Sequence, residues 1–140
     1  MAVQVYIDND NVRMHWDSEA QWIYIEYRRW NTTAEVHTGV ETFLQAMREH
    51  RAPKCLSDAR LRRAVQPEAQ QELINVWIPH AAALGLKQLA IVLPKSQLTL
   101  STVELLEAAY RQYVEVETFA TVEEAAAWLS IGIPAVAPLG

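Results

Sequence analysis

The sequence predicts an α/β fold: one domain over residues 1–140, with its elements in the order βββαβαβαβα and a mixed sheet. Two observations lead to this prediction. Alternating apolar and polar residues near the start of the chain are typical of antiparallel strands. Strand–helix–strand repeats follow them, and such repeats favour right-handed crossovers between parallel strands. The sheet should therefore begin as an antiparallel meander and continue with parallel strands.

Three strands are expected in the first 30 residues. Apolar side chains alternate with polar ones over 3–8 and over 12–17, and the Asp8-Asn9-Asp10-Asn11 segment between them is typical of a turn. The third strand covers 22–30. Its two faces carry Ile23, Ile25 and Tyr27 on one side, and Trp22, Tyr24 and Glu26 on the other.

Helical spacing and end signals place the remaining elements. The apolar run from Leu89 to Leu93 is typical of a central parallel strand, and Pro79 should kink or split the second helix. Capping boxes begin the last two helices. In chain order we expect a helix from Thr32 or Thr33 to before Pro53, a strand over 54–58, a helix over 67–85, a strand over 88–94, a helix from Ser101 to about Tyr113, a strand over 114–118 and a helix from Thr121.

Composition excludes several classes of protein. The chain has 140 residues, 51% of them hydrophobic, and a net charge of −5, which excludes a disordered chain and disfavours nucleic-acid binding. Its one cysteine, Cys55, excludes an internal disulfide and a multi-cysteine zinc site. The first residues lack the pattern of a signal peptide, and no apolar run is long enough to span a bilayer. We therefore expect a cytoplasmic protein without integral membrane association.

Two loops at the carboxyl ends of parallel strands are the candidate ligand site. Asp58, Arg60 and Arg62 follow one strand, and Lys95 and Ser96 follow the next. Ligands of open α/β sheets favour this edge, so these side chains could bind a small anion or a lipid-like molecule. The alternative is structural: Asp58 pairs with Arg60 or caps the turn, and Arg62 is solvated.

No pattern of catalytic or metal-binding residues emerges. The four histidines fall on different predicted elements, and the Asp8–Asp10 segment lacks the glycine and glutamate of a calcium loop. Cys55 is expected to be a buried, inert thiol, and the serines lack a G-x-S-x-G motif. The sequence thus predicts no catalytic residues, no metal and no cofactor, hence a protein that is not an enzyme.

Two apolar features predict association instead. Trp22 and Tyr24 would form a contact surface if no helix covers their face of the sheet. The tail over 130–140 is uncharged, and it should pack on the domain or against a second subunit. We therefore expect a homodimer, and possible contact with a further protein, through interface residues Trp22, Tyr24, Ile133, Val136 and Leu139.

A recurring order of short motifs extends along most of the chain. The motifs are Asp58-Ala59-Arg60, the segment Val65-Gln66-Pro67-Glu68-Ala69-Gln70, Trp77-Ile78-Pro79, the segment 85–96, and 119–129. In this order the chain resembles the SpoIIAA-like (STAS/CRAL-TRIO-like) small bacterial proteins, most of which have no assigned function. The resemblance implies a βα superhelix on a mixed sheet.

The same resemblance implies a function. Its best-understood members are anti-sigma-factor antagonists that are switched by phosphorylation of a serine in a Ser-Ser-Gly type element. That element is absent here, where the corresponding stretch reads Leu56-Ser57-Asp58-Ala59-Arg60, so Ser57 does not take over the role. The expected function is a non-catalytic STAS-like interaction or regulatory module. The alternative is a binder of a small anionic or lipid-like ligand near Asp58, Arg60, Lys95 and Ser96.

Overall fold

The structure is a computed structural model that describes residues 3–29, 32–62, 65–95 and 97–132. It confirms the α/β class and the mixed sheet, whose six strands lie side by side in chain order. Strands one to three pair antiparallel, and each later strand pairs parallel to the one before it. The strands are β1 (Val3–Asp8), β2 (Val12–Asp17), β3 (Trp22–Tyr27), β4 (Lys54–Asp58), β5 (Gln88–Val92) and β6 (Glu115–Phe119).

The helices of the described residues connect the parallel strands. They are α1 (Thr33–His50), α2 (Pro67–Glu72), a π-helical segment (Leu73–Trp77), α3 (Ile78–Ala83), α4 (Gln97–Tyr110) and α5 (Val122–Gly132). Two predicted starts are confirmed by their caps. Thr32 forms a capping box with Glu35, and the Thr121 hydroxyl accepts a hydrogen bond from the Glu124 amide at 3.1 Å.

The second predicted helix consists of three helical segments. The Ile78 amide donates to the Leu73 carbonyl, five residues earlier, so the backbone widens into π-helical geometry directly before Pro79. Proline has no amide hydrogen to donate, and the change of helix type at this point accommodates it. Gly85 adopts a φ of +123° after the last segment, a conformation that glycine tolerates best.

Several predicted boundaries are wrong: α4 ends at Tyr110 rather than near Tyr113, and β5 ends at Val92 rather than at 94. α4 begins at Gln97, so the Ser101 capping box does not start it. The sequence from Gln97 to Leu100 contains no glycine or proline, and nothing in it stops the helix from beginning one turn earlier. β3 ends at Tyr27, because the amides of Arg28 and Arg29 turn to donate to the Asn11 carbonyl.

Helices cover the two faces of the sheet unequally. On the first face, α1, the π-helical segment and α4 enclose the larger core, in which Trp77 makes edge-on contacts with Phe43 and Tyr110. On the second face, α5 packs against β4, β5 and β6. Burial along β3 alternates accordingly: Ile23, Ile25 and Tyr27 are buried in the larger core, and Trp22 and Tyr24 are half-buried on the second face.

Candidate functional site

Asp58 is the centre of a polar cluster at the carboxyl end of β4. Its side chain is only 2% exposed. The Arg60 guanidinium donates to both carboxylate oxygens, through Nε at 2.9 Å and Nη2 at 2.8 Å, and the Tyr24 hydroxyl donates to Oδ2 at 2.9 Å. The Arg60 amide donates to Oδ1 as well. These donors compensate the burial of the carboxylate, as a buried charge requires.

The hydrogen bonds decide the protonation states of this cluster. Burial alone would raise the pKa of Asp58, but the donors from Arg60 and Tyr24 outweigh it, and the pKa lies below its usual value. The Asp58 carboxylate raises the pKa of Arg60. Burial and the hydrogen bond to Asp58 raise the pKa of Tyr24. At neutral pH the cluster is therefore an ion pair with a protonated tyrosine.

The structure brings some of the predicted ligand residues together. Arg60 and Lys95 line one pocket of about 300 Å³ together with the exposed side chain of Leu61. Asp58 lies beside this pocket and binds Arg60, which is the structural alternative of the sequence analysis. Because Asp58 pairs with Arg60, its carboxylate neutralises the charge of Arg60 but not the charge of Lys95, the other cation of the pocket. Ser96 lies outside the described residues.

The Arg62 side chain is buried against Tyr27, unlike Arg60 and Lys95, which line the pocket. It is only 6% exposed, and its guanidinium carbon lies 4.3 Å from the centre of the Tyr27 ring, in a cation–π contact. Arg62 is thus neither solvated nor among the described residues that line the pocket. The Ser57 hydroxyl donates to the Tyr27 hydroxyl at 3.2 Å in the same buried region. No sequence signal predicts this inward orientation.

The second face of the sheet is half covered. One row of paired residues crosses it from edge to edge: Val5, His15, Tyr24, Leu56, Ala90 and Glu117. Leu56 and Ala90 are buried beneath α5, whereas Tyr24 and His15 are half-buried and Val5 is 49% exposed. We call the side of this face formed by Val3, Val5, His15, Trp22 and Tyr24 the open half.

Sequence reasoning missed the aromatic contact at the centre of the open half. The His15 and Tyr24 rings stack with their centroids 5.1 Å apart, and burial lowers the pKa of His15. Alternation along β2 predicts that His15 faces away from the larger core. The stack itself depends on the β2–β3 register, which pairs the two residues directly.

The predicted interface residues divide into two groups. Trp22 and Tyr24 lie on the open half and pack at the border of the small core that α5 covers. Ile133, Val136 and Leu139 lie outside the described residues, so the role of the tail stays a prediction.

The described ranges contain neither a cluster of metal-binding side chains nor a helix that could cross a membrane. No three histidine, cysteine, aspartate or glutamate side chains there are grouped to bind a metal ion. No helix between residues 3 and 132, gaps excepted, has the length and apolar character needed to cross a membrane. Cys55 is fully buried, and burial raises the pKa of its thiol, which keeps it protonated.

Comparison with known proteins gave no match: no family model, no curated protein and no solved structure is similar to this chain. The SpoIIAA-like resemblance therefore rests on the order of its sequence motifs alone.

Proposed function

We propose that this chain is a non-catalytic interaction module of SpoIIAA-like type, which works as a homodimer in the cytoplasm and contacts a further protein. The observation that carries the proposal is the open half. A monomer gains stability by covering apolar surface, yet here Val3 and Val5 stay exposed on the same face on which Leu56 is buried. An exposed apolar area at the edge of a sheet is typical of a protein contact.

The chemistry of the open half suits a protein surface better than a small substrate. Its centre is aromatic, with Trp22 beside the stacked His15 and Tyr24 rings. Charged side chains border it: Asp17 pairs with Val3 and with Trp22 in the sheet, and Asp8 forms ion pairs with Arg13 and Arg28 at 2.6 and 3.0 Å. An apolar, aromatic centre with a polar rim is the usual composition of a protein–protein interface.

Two matched variants test the interaction. Immobilised wild-type protein should retain a partner from the native cell extract, and Trp22→Ser should lose it. Tyr113→Ser removes an aromatic ring that is 49% exposed and outside the open half, so it should retain the same partner. The retained protein, once purified, should bind wild type and Tyr113→Ser with equal dissociation constants. Equal binding to all three proteins would contradict a contact through the open half.

A second candidate function is binding of a small anionic or lipid-like ligand. The pocket of about 300 Å³ between Arg60, Leu61 and Lys95 favours it, since it combines an apolar side chain with Lys95, a cation that Asp58 does not neutralise. Inorganic phosphate or dodecanoate should then raise the melting temperature of the wild type. Lys95→Gln should abolish the shift, and Lys87→Gln, at an exposed lysine elsewhere, should preserve it. Identical shifts in both variants would exclude this pocket.

A further inference from the structure

β1 forms one edge of the sheet. It pairs with β2 on one side, and no described strand pairs with its other side. An edge strand presents backbone amides and carbonyls that can pair with another strand. Natural proteins usually protect such an edge with charged side chains.

The two edges of this sheet differ in that protection. β6 carries the exposed carboxylates of Glu115 and Glu117 at its edge, so a second strand would meet negative charge there. β1 has no charged residue from Val3 to Ile7, and Val3 and Val5 are 36% and 49% exposed. The β1 edge is therefore the edge that can accept another strand.

We propose that β1 pairs antiparallel with β1 of a second copy of the chain, about a two-fold axis at Gln4. In this register each Val3 lies opposite Val5 of the other copy, and the two Gln4 residues face each other. Cross-strand pairs of β-branched residues stabilise a sheet, and the same strand supplies both halves of a two-fold contact. The inference rests on the proposed homodimer and assigns the surface through which it forms.

The position of the axis agrees with the geometry of β1. The ladder to β2 is regular at Val3, Gln4 and Val5, and its register shifts only between Val5 and Ile7. The three residues at the axis thus precede the irregularity. Tyr6 lies at the irregularity, and its hydroxyl donates to the Glu49 carboxylate of α1.

Charge argues for a second copy as the occupant. Asp8 is the one charged residue of β1, and Arg13 and Arg28 neutralise its carboxylate. Antiparallel pairing about Gln4 would place the two Asp8 residues at opposite ends of the new ladder, about 27 Å apart along the strands. That distance exceeds the screening length of about 8 Å at physiological ionic strength, so the two Asp8 carboxylates would not repel each other appreciably.

Pairing would also join the open halves of two copies. The row that ends at Val3 in one copy would continue across the two-fold axis into the row that ends at Val5 in the other copy, and the reverse. The partner protein would then meet one continuous surface with two His15–Tyr24 stacks. This links the homodimer to the proposed interaction.

Charge at the axis tests the register. Gln4 is exposed, and its Oε1 lies 3.2 Å from His50 Nε2 at the surface, so Gln4→Lys and Gln4→Glu should both fold. Each variant places like charges opposite each other in a self-pair, and we expect the dimer dissociation constant to rise roughly tenfold or more. An equimolar mixture should restore dimers, because lysine then faces glutamate. Sedimentation velocity measures all three samples, and circular dichroism checks the fold.

A control on the opposite edge completes the experiment. Glu117→Lys inserts a lysine at the β6 edge and should sediment like the wild type.

A dimeric wild type, weakened dimers of the single Gln4 variants and restored dimers in their mixture would support the inference. A wild type that remains monomeric at millimolar concentration would overturn both the inference and the proposed homodimer. A dimeric wild type with equally dimeric Gln4 variants would overturn the β1 contact and leave a homodimer formed elsewhere.

Discussion

The two halves of the sheet's second face are made from the same rows of residues but have different surroundings. In one row, Leu56 and Ala90 are buried under α5, and the row ends at the exposed carboxylate of Glu117. In the other direction the row passes to the half-buried Tyr24 and ends at Val5, which is 49% exposed. The α5 side thus has an apolar centre and a charged edge, whereas the β1 side has an apolar edge.

This difference separates the part of the face that stabilises the fold from the part that we propose is used for contacts. Burial of apolar area stabilises by about 25 cal/mol per Å², so the residues beneath α5 contribute to folding in full. Val3 and Val5 gain only part of that contribution in the isolated chain. Burial in a partner would supply the remainder.

The largest expected effect is the loss of a side chain beneath α5. Leu56 is 1% exposed, and Leu56→Ala should lower the free energy of unfolding by about 2–5 kcal/mol through lost burial and the cavity left behind. Val5→Ala, in the same row, should change it by less than about 0.5 kcal/mol. Urea denaturation of dilute protein measures both. A comparable loss in the two variants would contradict the division of the face.

Removal of the Asp58 charge should have the next largest effect. Asp58→Asn keeps the volume but cannot accept all the hydrogen bonds from Arg60 and Tyr24, and we expect a loss of about 1–3 kcal/mol in urea denaturation. Asp10→Asn, at an exposed turn position, is the matched control and should leave stability unchanged. A loss of the same size at Asp10 would point to overall charge rather than to the cluster.

The stability that Asp58 contributes should depend on pH. Its pKa is lower in the folded chain than in the unfolded chain, so the contribution is complete above the unfolded value of about 3.9. It is lost as the pH falls through the folded value. The difference in unfolding free energy between wild type and Asp58→Asn should be constant from pH 7 to about 5 and shrink below pH 4. A constant difference down to pH 2 would contradict the ion pair.

Much of the fold was predictable, because the sequence expresses it locally. The strand alternation of β1 to β3, the apolar run of β5 and the helix cap at Thr32 each depend on neighbouring residues. The start of α4 was not predictable in this way, since the Ser101 box satisfies the motif without beginning the helix.

The site was less predictable, because its contacts join distant parts of the chain. Proximity in sequence suggested the Asp58–Arg60 pair, but the Tyr24 hydroxyl reaches Asp58 across 34 positions and depends on the parallel register of β3 and β4. The same limit applies to Arg62, because its contact with Tyr27 joins the loop after β4 to a residue of β3.

The smallest expected effect concerns the boundary between the two halves. Tyr24→Phe removes the hydroxyl that donates to Asp58 and keeps the ring that stacks on His15. The free energy of unfolding should fall by about 1 kcal/mol. Tyr113→Phe, at a 49% exposed tyrosine, should be neutral in the same urea titration. No loss in Tyr24→Phe would show that Asp58 does not depend on β3.

Hydrogen exchange of the unmodified protein at two concentrations tests the central claim most directly, because it compares the two edges of the sheet in one sample. Mass spectrometry of peptides that cover Val3–Asp8 and Glu115–Phe119 would report each edge separately. The account predicts that the β1 amides exchange more slowly at high protein concentration than at low concentration, while exchange in β6 stays the same. Exchange in β1 that is independent of concentration, or protection gained only in β6, would contradict it.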